Sequence, residues 1–152
     1  MSKQYLIKHA PGAPGLRILG LGPNYLPCKG LKKLQLLLDK YTFWAKNRST
    51  SELRKMLKNS SLVISLWKDQ KLIGFGRATT DGIFRAVIWD VVIANDVQGN
   101  GYGRLIVKEL MKSPIIRNTK KIYLMTTNRS EFYLQLGFKL NTKQKLLYIN
   151  NE

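Results

Sequence analysis

Gln98-Gly99-Asn100-Gly101-Tyr102-Gly103, followed by Arg104, is the stretch on which the fold turns. An apolar run, Ile83–Ile93, precedes it. After it, Gly103, Ile106, Val107 and Leu110 recur at helical spacing. Strand, glycine-rich turn and helix together make an anion-binding device. The glycines let backbone N–H groups turn toward a pyrophosphate, and the helix N-terminus adds partial positive charge. A P-loop needs Gly-Lys-Ser/Thr at its end, and this turn ends Gly103-Arg104-Leu105. A dinucleotide fingerprint needs G-x-G-x-x-G in a parallel βαβ unit. Here position 104 is Arg and the strands before the turn read as hairpin-linked. What remains is Gln-x-x-Gly-x-Gly after a long apolar strand.

Working outward, Leu62, Ile64 and Leu66 alternate with Val63, Ser65 and Trp67, which predicts a strand buried on both faces. Asp69-Gln70 reads as a turn and Leu72–Thr79 as the returning strand. Asp81-Gly82 predicts a hairpin into a third strand, Ile83–Ile93. Upstream, Leu31, Leu34, Leu38 and Tyr41 predict a helix, and Ser49 with Glu52 predicts a capping box opening a second. Residues 1–15 read as loosely structured, Leu16–Gly22 as a short strand, and Pro23–Gly30 as a connector. Downstream, Ser113-Pro114 ends the helix after the turn. Lys121–Thr126 reads as a strand, Ser130–Leu136 as a short helix closed by Gly137, and Lys145–Ile149 as a last strand. The expectation is one α/β domain over residues 1–152, a mixed but mostly antiparallel sheet flanked by helices.

Composition bounds the function. The 152 residues are 44% hydrophobic and 23% charged, which is globular. One cysteine, Cys28, excludes an intrachain disulfide, and a single histidine, His9, argues against a zinc site. No apolar stretch reaches the roughly 18 residues of a membrane helix. The N-terminus lacks the apolar core of a signal peptide and the Arg/Ser-rich leader of an imported protein. Lys+Arg is 26 against Asp+Glu 9, a net charge of +17. That charge has two readings: a polyanionic partner, or the lysine drift of an AT-rich genome. Arg104, Lys108 and Lys112 form a basic stripe on or just beyond the turn, where a polyanionic cofactor would sit. Such a field disfavours polycationic acceptors.

Three segments in order carry a family resemblance: Ile88-Trp89-Asp90-Val91-Val92-Ile93, the glycine turn, and Glu131-Phe132-Tyr133-Leu134-Gln135-Leu136-Gly137-Phe138. Together they resemble the GNAT N-acetyltransferases over roughly residues 60–140, the last run matching an F-Y-x-x-L-G-F signature. IGFGRATTDG, AVIWDVV and YLMTTN resemble the cyanobacterial and plastid branch, which includes plastid protein acetyltransferases and plant serotonin N-acetyltransferases. The resemblance implies direct acetyl transfer from acetyl-CoA to an amine, with no metal. It implies that backbone groups of Val91, Val92 and Ile93 bind the pantetheine arm. It implies that the amides of Gly99, Asn100, Gly101, Tyr102, Gly103 and Arg104 hold the pyrophosphate, with Gln98 shaping the turn.

It further implies Tyr133 as general acid to the leaving thiolate, against the alternative of a packing aromatic. Asp90 is the one carboxylate in its strand, either an amine anchor or base, or a structural residue. Thr126 stands where the plant enzymes carry Asp, which weakens transfer of the serotonin activity. Thr126 and Asn128 are then candidates for contacts to cofactor or acceptor. Tyr41, Phe43, Trp44, Trp67 and Trp89 are core or acceptor-pocket aromatics. The acceptor is a protein α-amine or lysine, or alternatively a small arylalkylamine. A non-catalytic RNA- or ribosome-binding module on the same scaffold is the rival from another class. The expected compartment is the plastid stroma if the chain is organelle-encoded, otherwise the bacterial cytoplasm.

Overall fold

The computed structural model describes residues 2–151. In chain order it contains β1 (Gln4–His9), α1 (Pro14–Leu19), α2 (Gly30–Tyr41), α3 (Thr50–Lys58), β2 (Leu62–Lys68), β3 (Lys71–Thr80), β4 (Arg85–Ile93), α4 (Tyr102–Lys112), α5 (Pro114–Arg117), β5 (Lys121–Leu124) and α6 (Ser130–Gln135). The five strands form one sheet in the order β1-β2-β3-β4-β5. β1 to β4 pair antiparallel, and β5 joins β4 in parallel. The mixed, mostly antiparallel sheet expected from the sequence is therefore present.

β2 is buried along both faces from Leu62 to Trp67, so the sheet needs helices on each side. α4 lies against the face on which Gly74 and Gly76 sit. A Cβ on Gly76 would stand 2.8 Å from Ile106 Cγ2, and one on Gly74 would stand 2.9 Å from Ile106 Cδ1. Glycine at these two places lets the helix approach the strand. α2 buries Leu31, Leu34, Leu37 and Leu38. α3 opens on the expected capping box: Ser49 Oγ accepts from Glu52 N–H at 3.1 Å, and Glu52 Oε2 accepts from Ser49 N–H at 2.7 Å. Its Leu53 and Leu57 join the core.

Four expectations fail. Residues 4–9 are not loose; they form edge strand β1, with Tyr5 opposite Trp67 and His9 opposite Val63. Leu16–Gly22 holds no strand. Pro14 starts α1 with its ring already at helical φ, and Gly20 closes it at φ +62. The third strand begins at Arg85, two residues later than expected. Asp81 Oδ1 accepts the N–H groups of Ile83, Phe84 and Arg85 at 2.8, 2.7 and 3.3 Å, which folds them into the loop. Lys145–Ile149 forms no strand either. No neighbouring strand pairs with it, and its Leu147, Tyr148 and Ile149 are almost fully exposed.

Candidate active site

β4 and β5 are paired only from Arg85–Lys121 to Ile88–Leu124. Beyond Ile88 they part. β4 stays with β3, and its other edge is left open. A cleft of about 840 Å3 occupies the opening, lined by the second half of β4, the glycine turn and the start of α6.

The parting coincides with a bulge. Phe75 pairs with Val92 and Arg77 with Trp89, so the β4 side carries one extra residue, and Asp90 sits at φ +54. A non-glycine residue holds such a φ only when its surroundings enforce it. Asp90 is clamped. Arg77 Nε donates to Oδ2 at 2.8 Å, Arg48 Nη1 donates to Oδ2 at 3.0 Å, and Trp44 Nε1 donates to Oδ1 at 3.2 Å. Its side chain is only 4% exposed. Burial pushes the carboxyl up, but the hydrogen bonds and charges of Arg48 and Arg77 outweigh it and hold Asp90 below the usual carboxylate range. A carboxylate so engaged is a poor proton acceptor, and the geometry favours the structural alternative for Asp90.

After the bulge, Ala94 N–H donates to Ile73 O at 2.9 Å. Strand alternation then turns the backbone groups of Val91 and Ile93 toward the cleft and those of Val92 toward β3. Val92 itself is buried. Of the three residues expected to offer backbone groups, two therefore face the cleft. The Ile93 carbonyl already accepts from Gln98 Nε2 at 3.2 Å, and the same nitrogen donates to Asn95 Oδ1 at 3.0 Å. Gln98 thus shapes the turn.

Gly99 and Gly101 take φ +85 and +78, values that favour glycine. Asn100 Nδ2 braces the turn through Val97 O at 2.8 Å. Among the described residues, the N–H groups of Gly99, Gly101, Tyr102, Gly103 and Arg104 find no acceptor, whereas that of Asn100 closes the turn. The free groups lie at the N-terminus of the eleven-residue α4, the arrangement that suits a pyrophosphate. Arg104 lines the same cleft. Lys108 and Lys112 do not share that position. At about 1.5 Å per residue, Lys112 lies about 12 Å further along the helix than Arg104, and it pairs with Glu109 at 3.3 Å.

On the far wall, Tyr133 makes edge contacts with Phe132 and Phe138 at 4.9 and 5.8 Å between ring centres. Burial raises its phenol pKa, partly offset by Arg129. Thr126 Oγ1 accepts from Arg129 N–H at 3.1 Å and so helps start α6. Asn128 lines the cleft. Of the candidate aromatics, Trp67 is core, donating to Ser65 Oγ at 2.8 Å. Tyr41, Phe43, Trp44 and Trp89 line the cleft.

Residues 31–138 match the acetyltransferase (GNAT) family. The chain belongs to that family. It is 39% identical over 113 residues to ycf52, an uncharacterized N-acetyltransferase of Pyropia yezoensis, with 71% of this chain and 64% of that protein aligned. It is 36% identical over 118 residues to the histone acetyltransferase TAP1 of Glycine max, covering 70% of this chain and 50% of TAP1. It is 38% identical over 73 residues to the chloroplastic GCN5-related N-acetyltransferase 2 of Arabidopsis thaliana, covering 47% and 28%. The chain thus spans less than two thirds of the length of these relatives. Its fold matches a GNAT acetyltransferase structure from Streptococcus pneumoniae with a TM-score of 0.71 at 16% identity, over 99% of this chain and 100% of that one.

Within this GNAT site, sequence reasoning missed Arg48 and Arg77, the partners of Asp90. A signal was present: a lone carboxylate in an apolar strand of a chain with 26 cationic side chains needs a cation when buried. Met125 and Leu146, both exposed and lining the cleft, were also missed.

Proposed function

We propose that the chain moves the acetyl group of acetyl-CoA directly to a primary amine of a protein. The observation that carries this reading is the pairing of two features: a cleft opened where β4 leaves β5, and a turn of partnerless amides at its end. An extended pantetheine arm fits the first and a pyrophosphate the second. The residues present suit that cosubstrate, because Asp90, the one carboxylate lining the cleft among the described residues, is already neutralised. Acetyl-CoA supplies an activated thioester, and the protein supplies placement.

Val91 and Ile93 offer backbone hydrogen bonds to the arm. The free N–H groups between Gly99 and Arg104 hold the diphosphate, with the Arg104 side chain beside it. A backbone N–H of β4 would polarise the thioester oxygen. The amine nitrogen attacks the carbonyl carbon, the C–S bond breaks, and the Tyr133 phenol gives its proton to the departing sulfur. The proton lost by the amine passes to water. Tyr133 regains its own proton from solvent. Holding both partners in one cleft contributes up to about 7–11 kcal/mol of such a barrier. Thr126 and Asn128, both lining the cleft, are candidates for contacts to the cosubstrate or the acceptor. A protein acceptor is in keeping with the histone acetyltransferase among the relatives, and a plastid location with the chloroplastic one.

Incubating the purified protein with acetyl-CoA and a denatured, trypsin-free proteome, then mapping acetylated amines by mass spectrometry, tests the proposal. Stoichiometric thiol release with new acetyl-amines supports it. RNA binding with steep salt dependence and no turnover would favour the binding-module alternative.

A further inference from the structure

The acceptor wall of the cleft says which amine it suits. Phe43 and Trp44, in the loop between α2 and α3, stand edge to face with ring centres 5.1 Å apart. They are 64% and 47% exposed, an unusual place for two adjoining large aromatics with no cover. Met125 and Leu146 add further exposed apolar surface to the same cleft. The patch is not free to drift. Trp44 Nε1 is tied to Asp90 Oδ1 at 3.2 Å, at the bulge itself. The Trp44 ring, with Phe43 packed on it, is thereby held beside β4, which lines the cleft.

Charge supplies a second, independent constraint. Among the described residues Asp90 is the one carboxylate lining the cleft, and two arginines hold it. Arg104 and Arg129 line the cleft as well. Among the described residues, no free carboxylate and no imidazole lines the cleft to pair with an ammonium ion or take its proton. A lysine or simple alkyl amine, with pKa about 10.4, arrives almost wholly protonated near pH 8, whereas a peptide α-amine, with pKa about 7.7–8, arrives largely neutral. Cations around the cleft also oppose basic residues later in the acceptor.

We propose that the favoured acceptor is the α-amine of a polypeptide whose first residue is large and apolar, its side chain packed on Phe43 and Trp44. This rests on the acetyl-transfer reading above. Lysine side chains, small arylalkylamines and polycationic tails are poorer acceptors: each combines a high-pKa amine or added positive charge with a cleft that accommodates neither.

The test is a set of short peptides assayed with acetyl-CoA at pH 8. One begins with Met, one with Phe and one with Gly. A fourth is Nα-blocked with an internal Lys, and phenethylamine stands for small amines. The Met and Phe peptides should exceed the others in kcat/KM by at least about tenfold. Phe43→Ala should bring that preference over the Gly peptide to within about twofold. Its unchanged melting temperature would show that the exposed ring is not needed for folding. Equal rates for the Gly peptide, or preference for the blocked Lys peptide or phenethylamine, would overturn the acceptor assignment while leaving acetyl transfer standing. Acetyl-CoA binding with no acetylation of any amine would overturn both.

Discussion

Arg77 Nε lies 2.8 Å from Asp90 Oδ2, on the strand next to the bulge that Asp90 occupies. Arg48 reaches the same oxygen from the α2–α3 side at 3.0 Å. The carboxylate therefore joins two parts of the chain and stabilises a left-handed backbone conformation. Removing one partner of a buried pair leaves an uncompensated charge, at a cost of about 3–5 kcal/mol. Asp90→Ala should lose stability on that scale in urea titration. Asp90→Asn keeps the size and some of the hydrogen bonds. Its pH–rate profile should keep the acidic limb of the parent enzyme, because Asp90 is held ionised below the usual carboxylate range. Loss of that limb would make Asp90 the base.

Tyr133→Phe removes the proposed acid and little else. A general acid contributes about 10²–10⁴ in rate, so kcat should fall by about a hundredfold or more, while KM for acetyl-CoA moves little. The raised phenol pKa keeps the donor protonated through neutral and mildly alkaline pH. The parent enzyme should accordingly lose kcat through this group only at a pH above that at which an ordinary phenol, pKa about 10, ionises. Steady-state kinetics of both proteins, read as separate kcat and KM values, check the assignment.

Gly101 holds φ +78 with no atom within 4 Å of where a Cβ would stand. Space permits a side chain there, but the backbone angle does not suit one. Gly101→Val should therefore distort the amide turn more than it crowds the core. KM for acetyl-CoA should rise about tenfold or more, with a stability loss of only about 1–2 kcal/mol. Gly76→Ala gives the opposite pattern. Its Cβ would meet Ile106 Cγ2 at 2.8 Å, costing about 1–3 kcal/mol of stability by overpacking. Calorimetry beside acetyl-CoA titration separates the two.

His9 carries a pH dependence of folding. Its Nε2 is 2.7 Å from Ser65 Oγ, and that oxygen accepts Trp67 Nε1–H at 2.8 Å, leaving the Ser65 proton for a neutral imidazole. Burial lowers the His9 pKa from 6.5 to about 4. Between those values the unfolded chain binds the proton and the folded chain does not. Stability from this group is thus full above pH 6.5 and is lost as pH falls toward 4, by about 3 kcal/mol in all. Urea midpoints at pH 7 and pH 4.5 should differ less in His9→Gln than in the parent protein.

How much could be read beforehand depended on the range of the forces involved. The capping box at Ser49 and Glu52, the β2–β3 hairpin and the glycine turn are set by neighbours in sequence, and each was legible. β1 was not, because Tyr5 is held by Trp67 and His9 by Val63, more than fifty residues on. Leu16–Gly22 is an apolar run too short for periodicity to separate strand from helix; Pro14 and Gly20 decided it. Lys145–Ile149 has strand composition but no partner, and composition cannot supply one. At the site, Asp90 could be singled out by type. Its meaning lay with Arg48 and Arg77, 42 and 13 residues away.

Two guanidinium groups share one carboxylate at the bulge, so the clamp keeps a surplus of positive charge beside the cleft. An amine entering with its extra proton meets a repulsive potential, and one entering without it does not. On the acetyl-transfer reading proposed above, the clamp would act as a proton filter, lowering the effective pKa of a docked amine and easing the build-up of negative charge on an oxygen held nearby. A site with no free base would then receive its nucleophile already deprotonated, through the same three side chains that hold the backbone open.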